Sequence, residues 1–242
     1  MSKICALVAA AGSGSRASLP YPKTLFQIRG KPILIWITEL LALYDRCPTI
    51  IVSQNGQAPI QECLNAWDMA AHLVLQPEPR GMGDAVLRFD KSPAFINAEH
   101  VILAWGDIPF IQPETLTSMI KVHIKHNNDF TFPTRQVSSA YTMVSRDQLG
   151  HVTGVVETRE QEISTPQAGE RDIGLFIFRK SVVLDLLREE LSDKWGKFTN
   201  EHGFLYVIGH LVARGFCVEA LPIALEMELI SLNSLKDLEP NA

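Results

Sequence analysis

The sequence predicts an α/β fold in which a mostly parallel β-sheet is flanked by helices. Short apolar runs, which are typical of buried strands, alternate along the first half of the chain with segments whose apolar residues recur at helical spacing. This alternation favours right-handed βαβ units, in which a crossover helix joins two parallel strands. The 242 residues are 46% hydrophobic and 20% charged, a composition typical of one large globular domain. We therefore expect a Rossmann-like sheet.

The local pattern assigns each element in turn. Residues 3–10 are a short apolar run that ends in a glycine-rich segment, so they predict the first strand. A helix is expected to begin near Pro32, because the first helical turn tolerates proline, and apolar residues keep helical spacing to residue 43. The same two patterns then repeat, with strands expected at 49–52, 72–75 and 100–104 and helices at 59–67, 83–89 and 113–125.

The regular alternation weakens after Phe130. Residues 134–172 are polar and contain β-like pieces such as 151–157, which indicates a β-rich insertion. Residues 174–178 look like a return to the central sheet, and two more helices are expected at 181–191 and 204–214. The single domain is therefore divided into a first half, 1–133, the insertion, 134–172, and a closing half, 173–242.

The charge and cysteine content exclude several classes of protein. The net charge is −5, the pI is near 5.8, and no run of Lys or Arg occurs, so we expect no nucleic-acid or membrane partner. The four cysteines are widely spaced and form no C-x-x-C pair, which argues against a zinc site and a secreted disulfide framework. No stretch is long enough to span a membrane, and the short apolar start is a poor signal peptide, so a cytoplasmic location is expected.

The loop after the first strand, residues 12–17, formally fits the dinucleotide fingerprint G-x-G-x-x-G/A. That fingerprint needs a helix that begins within the glycines, and Pro20 and Pro22 disfavour one here. The second strand also ends without an acidic ribose ligand, and no G-K-[ST] completes a P-loop. What remains is a long loop whose backbone can approach phosphate groups, with Arg16 and Lys23 to neutralise them. Taken singly, each cation could equally be a solvated loop residue.

Three short blocks in this region occur together. They are Ala10-Ala11-Gly12-Ser13-Gly14-Ser15-Arg16, then Pro22-Lys23, then Gly30-Lys31-Pro32. In order and spacing they resemble the signature of the sugar-nucleotide pyrophosphorylases, which runs A-A-G-x-G-x-R, P-K and G-K-P. The likeness is greatest to the uridylyltransferase domain of N-acetylglucosamine-1-phosphate uridylyltransferase.

This resemblance implies a Mg²⁺-dependent nucleotidyltransferase. Such an enzyme joins a nucleoside triphosphate, here UTP, to a small phosphorylated acceptor, here a sugar 1-phosphate, and releases pyrophosphate. An oxygen of the acceptor phosphate would attack the α-phosphate in line, so neither a covalent intermediate nor a general base is needed.

The resemblance also assigns residues to the first half of the chain as the nucleotide-binding half. By it, Arg16 and Lys23 are the catalytic cations that neutralise the triphosphate. Gln76 and the segment Gly81-Met82-Gly83-Asp84-Ala85-Val86 look like the family's Q…G-T-G-x-A-V, and an amide presents the donor and acceptor that a pyrimidine edge requires. Gln76 could otherwise be an ordinary strand-end residue. The expected nucleotide contacts are Ala10, Ala11, Gly12, Gly14, Gln76, Gly81 and Met82.

Metal ligands and acceptor contacts are implied in the same way. Gly106-Asp107-Ile108-Pro109 follows an apolar strand and looks like the family's G-D-x-P, and Asn233 resembles its second metal ligand. Asp107 and Asn233 are therefore expected to hold Mg²⁺, although they could otherwise be a helix N-cap and a turn residue. Glu157 resembles the glutamate that holds sugar hydroxyls, and Asp172 takes the place of a family asparagine.

Two segments depart from the family pattern. The family's Y-G-R is replaced by Tyr141-Thr142-Met143, and residues 201–205 keep only a loose likeness to E-Y-Y-L-T-D. Both belong to the acceptor side, so an alcohol phosphate such as phosphocholine, or a molybdopterin-type cofactor, stays an alternative acceptor. A nucleotide-sugar-binding regulatory domain without turnover is the alternative of a different class.

Overall fold

The computed structural model describes residues 3–12, 19–160 and 167–232. In chain order its strands are β1 (Ile4–Ala9), β2 (Gln27–Ile28), β3 (Lys31–Pro32), β4 (Thr49–Ser53), β5 (His72–Gln76), β6 (His100–Trp105), β7 (Phe130–Val137), β8 (Thr142–Arg146), β9 (Val152–Glu157), β10 (Gly169–Asp172), β11 (Leu175–Arg179) and β12 (Val218–Leu221). Its helices are α1 (Ile33–Leu41), α2 (Gln57–Ala66), α3 (Met82–Leu87), α4 (Pro113–His126), α5 (Lys180–Arg188) and α6 (Tyr206–Ala213).

Within the described part of the chain, eight strands form the central sheet, in the order β10-β7-β11-β6-β1-β4-β5 with β12 also paired to β7. The neighbours β6, β1, β4 and β5 are all parallel. Their carboxyl ends therefore share one edge of the sheet, which we call the carboxyl edge. β11 is antiparallel to both β6 and β7, whereas β12 is parallel to β7. The expectation of a Rossmann-like, mostly parallel sheet flanked by helices is confirmed.

Helices cover both faces of the sheet. Because side chains alternate along a strand, Cys5 and Leu7 of β1 pack on one face with residues of α3, α5 and α6. Ala6 and Val8 point to the other face and pack with residues of α1, α2 and α4. The result is three layers with β1, β4 and β6 buried on both sides, which explains why these strands are continuous apolar runs in the sequence.

Aromatic packing joins the antiparallel side of the sheet to α6. Five fully buried phenylalanines lie with ring centroids 5.4–6.1 Å apart. Each stabilises the fold by roughly 2–3 kcal/mol through the apolar surface it removes from water. They come from β7, β11 and the segment just before α6, and they are Phe130, Phe132, Phe176, Phe178 and Phe204.

The strands and helices expected in the first half of the chain are found with ends that differ by two residues or fewer. The strands β2, β3, β7 and β12 were not expected, and nothing in the pattern indicated that β11 is antiparallel. β7 carries Pro133, which argues against a strand, and its first half is buried without alternation. Thr134 of β7 is the register partner of Asp172 in β10, so both ends of the segment 134–172 lie side by side.

The insertion carries a hairpin of its own. β8 and β9 pair as antiparallel neighbours outside the central sheet, and β9 ends at Glu157. Among the described residues, no helix has both the length and the apolar character needed to cross a lipid bilayer.

Candidate active site

The loops that follow β1 and β6 pack directly on each other at the carboxyl edge. The amide of Gly106 donates to the Ala9 carbonyl at 3.0 Å, and Ala10 donates to Ile51 at 2.9 Å. A Cβ at position 106 would lie 2.7 Å from the Ala9 oxygen, so only glycine allows this approach. The close packing brings the residue after Gly106, Asp107, beside the start of the glycine-rich loop.

Asp107 is the point where three distant parts of the chain meet. Its carboxylate is buried and forms an ion pair with the ammonium of Lys23, which lies in a 3₁₀ turn, Lys23–Leu25. The backbone carbonyl of Asp107 accepts from the Leu232 amide at 2.9 Å, and the Lys23 ammonium lies 3.4 Å from the Leu232 carbonyl. The last described residues therefore return to the carboxyl edge.

Several of the expected residues fall outside the described part of the chain. Gly14 and Arg16 lie in the segment 13–18, and Asn233 directly follows the last described residue, Leu232. Ala10 and Ala11, which directly follow β1, are buried, and Gly12 is exposed. A Cβ placed on Gly12 would lie 4.0 Å from the Lys23 Cε atom, so the lysine side chain runs alongside this loop.

Gln76 ends β5 and is buried at the same edge of the sheet. Its Nε2 atom donates to the Gly81 carbonyl at 3.1 Å and to the Asp84 carboxylate at 2.8 Å, and Asp84 is also paired with Arg88 at 3.2 Å. Gln76 therefore orders the loop that precedes α3. Use of this Nε2 atom to read a nucleotide base would require it to leave one of these two partners.

Residues 80–84, which form the entry into α3 and its first turn, are hydrogen-bonded to the segment 194–203, and sequence reasoning missed this contact. The His202 amide donates to the Arg80 carbonyl at 2.7 Å, and the Gly83 amide donates to the His202 carbonyl at 3.0 Å. A Cβ on Gly81, whose φ is 103°, would lie 2.5 Å from the His202 oxygen, and one on Gly83 would lie 2.2 Å from the Gly203 oxygen. Close backbone packing thus accounts for the glycines on both sides of Met82. Two glycines separated by one residue were the feature of the sequence that could have indicated this contact.

The imidazole of His202 is part of the same contact. It is 97% buried, its ring lies between those of Trp195 and Tyr206, and its Nε2 atom is 3.4 Å from the Tyr206 hydroxyl. Burial, together with the nearby Lys194 ammonium, lowers the pKa of His202 to about 4. Burial also raises the pKa of Tyr206 to about 12. Both groups are therefore uncharged at neutral pH and act in packing and hydrogen bonding.

A cavity of about 510 Å³ opens between the end of β9 and the start of α6. Glu157, Arg159, Glu201, Tyr206 and His210 are among its lining residues. Glu157 accepts from Arg159 at 2.8 Å, and Arg159 also lies 3.5 Å from Glu201. Inside the cavity one guanidinium is surrounded by carboxylates, while glycine, valine and alanine residues make another part of the wall apolar.

Burial raises the pKa of the Glu157 carboxyl, and the Arg159 guanidinium offsets only part of that effect. Burial acts to lower the pKa of Arg159, but the charges of Glu157, Glu201 and Glu160 outweigh it and leave that pKa raised. Burial likewise acts to raise the pKa of Glu160, yet hydrogen bonds from Phe198 and the Thr199 hydroxyl leave it lowered. No motif in the sequence pointed to Arg159, which holds the cavity wall together through its ion pairs with glutamates.

Asp172 ends β10 and is almost completely buried. One carboxylate oxygen accepts from the Thr142 hydroxyl at 2.5 Å, and the other accepts from the Gly174 amide at 2.8 Å. The negative charge of Asp172 contributes to raising the pKa of Glu157, so the two carboxylates lie in the same region. Asp172 thus anchors β8 to the turn before β11, and a role in binding a ligand stays a prediction.

Two curated relatives, each named bifunctional protein GlmU, are similar to most of the chain. The protein from Thermodesulfovibrio yellowstonii is 26% identical over 236 residues, which cover 96% of this chain and 50% of the relative. The protein from Carboxydothermus hydrogenoformans is 27% identical over 232 residues, with 94% and 49% covered. The chain therefore spans about half the length of these curated relatives.

Solved structures share the fold. An inositol-1-phosphate CTP transferase from T. maritima superposes with a TM-score of 0.70 at 17% identity, covering 91% of this chain and 85% of the other. A Bacillus anthracis protein assigned as a glucose-1-phosphate thymidylyltransferase gives a TM-score of 0.78 at 12% identity, covering 98% and 93%. At such low identity these likenesses establish the architecture and not the substrates.

The family model described as MobA-like NTP transferase domain matches residues 6–202. This range begins in β1 and ends at His202, so it contains the glycine-rich loop, Lys23, Asp107 and the loop before α3. The nucleotidyltransferase family that the sequence motifs indicated is thereby confirmed. The chain belongs to the family of MobA-like NTP transferase domains.

Proposed function

We propose that this protein transfers a nucleotidyl group from UTP to a sugar 1-phosphate, with Mg²⁺ as cofactor, and releases pyrophosphate. The observation that carries the proposal is the meeting of Lys23, Asp107 and Leu232 beside the glycine-rich loop. A cation, a buried carboxylate and open backbone together suit a triphosphate. The cavity at the end of β9, large enough for a monosaccharide, supplies the acceptor side.

The residues of this chain would act by position and charge. The backbone at Ala10, Ala11, Gly12 and Gly14 would approach the phosphates closely, while Arg16 and Lys23 would neutralise them. An acceptor phosphate is already ionised at neutral pH, so no side chain has to remove a proton from it. The protein's contribution is then to hold the donor and acceptor in line and to stabilise the charge that develops.

The donor set of the site fits Mg²⁺. Asp107 offers a hard carboxylate oxygen and already has a cation, the Lys23 ammonium, against it. Among the described residues, no group of three or more His, Cys, Asp and Glu side chains could hold a metal ion. Mg²⁺ needs no such group, because one or two protein ligands, substrate phosphates and water are its usual partners. Asn233, the residue after Leu232, is the proposed second ligand.

When bound, Mg²⁺ would neutralise charge shared between the nucleotide and the acceptor phosphate. Gln76, Gly81 and Met82 would form the base side of the site, which motivates the choice of UTP. Glu157 and Asp172 would form the acceptor side, where a carboxylate beside a guanidinium suits hydroxyl groups.

The reaction is proposed to take place in the cytoplasm. All four cysteines are free, and burial raises the pKa of Cys5, Cys47 and Cys63. Protonated thiols of this kind are less reactive than thiolates and suit a reducing compartment.

Pyrophosphate release tests the proposal. The protein would be incubated with UTP, dTTP, CTP, ATP or GTP and with sugar 1-phosphates, phosphocholine or a molybdopterin-type acceptor. We expect the fastest release with UTP and a sugar 1-phosphate, and loss of release when EDTA removes the metal. Release with phosphocholine alone would favour the alternative acceptor, and no release with any pair would favour a binding domain without turnover.

Lys23→Ala examines the cation directly. It should lower kcat/KM by roughly 10²–10³-fold, the size of losing one preorganised charge in the transition state. Lys180→Ala is the matched control, because Lys180 directly follows β11 and so lies at the opposite edge of the sheet. Its ammonium also makes a backbone contact, since it donates to the Phe95 carbonyl at 2.6 Å. Activity of the Lys23 variant within a factor of three of wild type would contradict the assignment.

A further inference from the structure

The ion pair between Lys23 and Asp107 joins two residues that the proposed reaction needs for different ligands. The ammonium contacts one carboxylate oxygen of Asp107 directly, and it also lies 3.4 Å from the Leu232 carbonyl. Only 23% of the Lys23 side chain and 11% of the Asp107 side chain are exposed. Water and salt therefore screen this pair less than an exposed pair. A divalent cation cannot take the same oxygen while the lysine holds it.

Lys23 has a second position within reach. Its backbone is fixed in the 3₁₀ turn after Pro22, whose φ is −54°, but its flexible side chain runs beside Gly12. Rotation about the last bonds of the side chain can therefore move the ammonium from Asp107 toward a phosphate on the glycine-rich loop. The two positions differ mainly in which anion the ammonium faces.

We propose that Lys23 is a placeholder cation, which occupies the divalent-cation position on Asp107 until a triphosphate draws it away. The proposal rests on the proposed function, since it takes Asp107 as a metal ligand and Lys23 as a phosphate ligand. Free divalent cation then binds weakly to the nucleotide-free protein, because it must displace an ammonium that is already paired with the Asp107 carboxylate. The triphosphate supplies that anion, so donor and cation strengthen each other's binding by the same factor. Lys23 thereby couples binding of the divalent cation to binding of the nucleoside triphosphate.

The test is cation binding without nucleotide, acceptor or turnover. Mn²⁺ would be titrated into wild type, Lys23→Met and the control Lys180→Met, with free Mn²⁺ measured by electron paramagnetic resonance. Removing the competing charge should tighten Mn²⁺ binding by about tenfold in Lys23→Met, as expected for one partly buried charge pair. Lys180→Met should bind Mn²⁺ as the wild type does. Lys23→Gln should reproduce the gain, because its amide can still donate to Leu232 without a charge.

A double variant fixes the place of the effect. Lys23→Met combined with Asp107→Asn should lose the gain in Mn²⁺ affinity, because the carboxylate that binds the cation is gone. Equal Mn²⁺ affinity of wild type, Lys23→Met and Lys23→Gln would overturn the proposal, and so would a gain that persists in the double variant. Thermal unfolding of each variant establishes that it is folded. Failure of the wild type to release pyrophosphate would refute the proposed function but would leave this measurement unchanged, so the two failures are distinguishable.

Discussion

A buried pair of histidines should make the protein unstable in acid. His123 of α4 is fully buried, and its Nδ1 atom lies 2.9 Å from the Thr131 hydroxyl. Its Nε2 atom lies 2.9 Å from the Nδ1 atom of His100. Burial, and then the nearby His100 and Arg179, lower the pKa of His123 to about 3. The folded state therefore holds His123 in its neutral form.

The size of the effect follows from this pKa. An unfolded histidine takes up a proton near pH 6.5, whereas the folded His123 resists protonation down to about pH 3. The stabilisation is thus complete above pH 6.5 and is lost as the pH falls from 6.5 toward 3. At pH 5, about 1.5 units below the unfolded pKa, His123 alone should cost about 2 kcal/mol of unfolding free energy.

Urea unfolding at pH 7 and pH 5, monitored by circular dichroism, measures this loss. His123→Gln keeps a polar side chain that can bond Thr131 and His100, but it cannot take up a proton. The loss of stability between the two pH values should be about 2 kcal/mol smaller in this variant than in the wild type. An equal loss in both proteins would show that the acid sensitivity arises from other titrating groups and not from His123.

Three further predictions concern the candidate active site. Asp107→Asn keeps the shape of the side chain but removes its charge, so pyrophosphate release should fall by roughly 10²–10³-fold with the melting temperature little changed; near-normal turnover would contradict a metal-binding role. Glu157→Ala should raise the KM of the acceptor far more than that of the triphosphate, and equal changes would show that Glu157 is structural. Gly83→Ala puts a Cβ 2.2 Å from the Gly203 oxygen and should destabilise the protein by roughly 1–3 kcal/mol in urea unfolding. Gly209→Ala, whose Cβ would meet its nearest atom at 3.8 Å, is the matched control and should cost less.

Much of the parallel half of the fold could be predicted because its signals are local. β1, β4 and β6 are apolar runs since they are buried on both faces, and the helices between the parallel strands keep helical spacing. The same local information marked the glycine-rich loop, Lys23 and Asp107 as residues that follow strands at the carboxyl edge. The roles of Gly14, Arg16 and Asn233 stay predictions, because these residues lie outside the described part of the chain.

Local sequence was enough to show which residue types stand at the ends of which strands, because a strand, a turn and a phosphate-binding loop each depend on a few neighbouring residues. Which of these residues meet in space depends on how the whole chain folds. Lys23 and Asp107 are 84 positions apart, and Lys23 and Leu232 are 209 apart, so their contacts depend on strand order and on the return of the last segment. The packing of His202 against Gly83 has the same origin, since it joins the first turn of α3 to the segment before α6, and no local pattern relates the two.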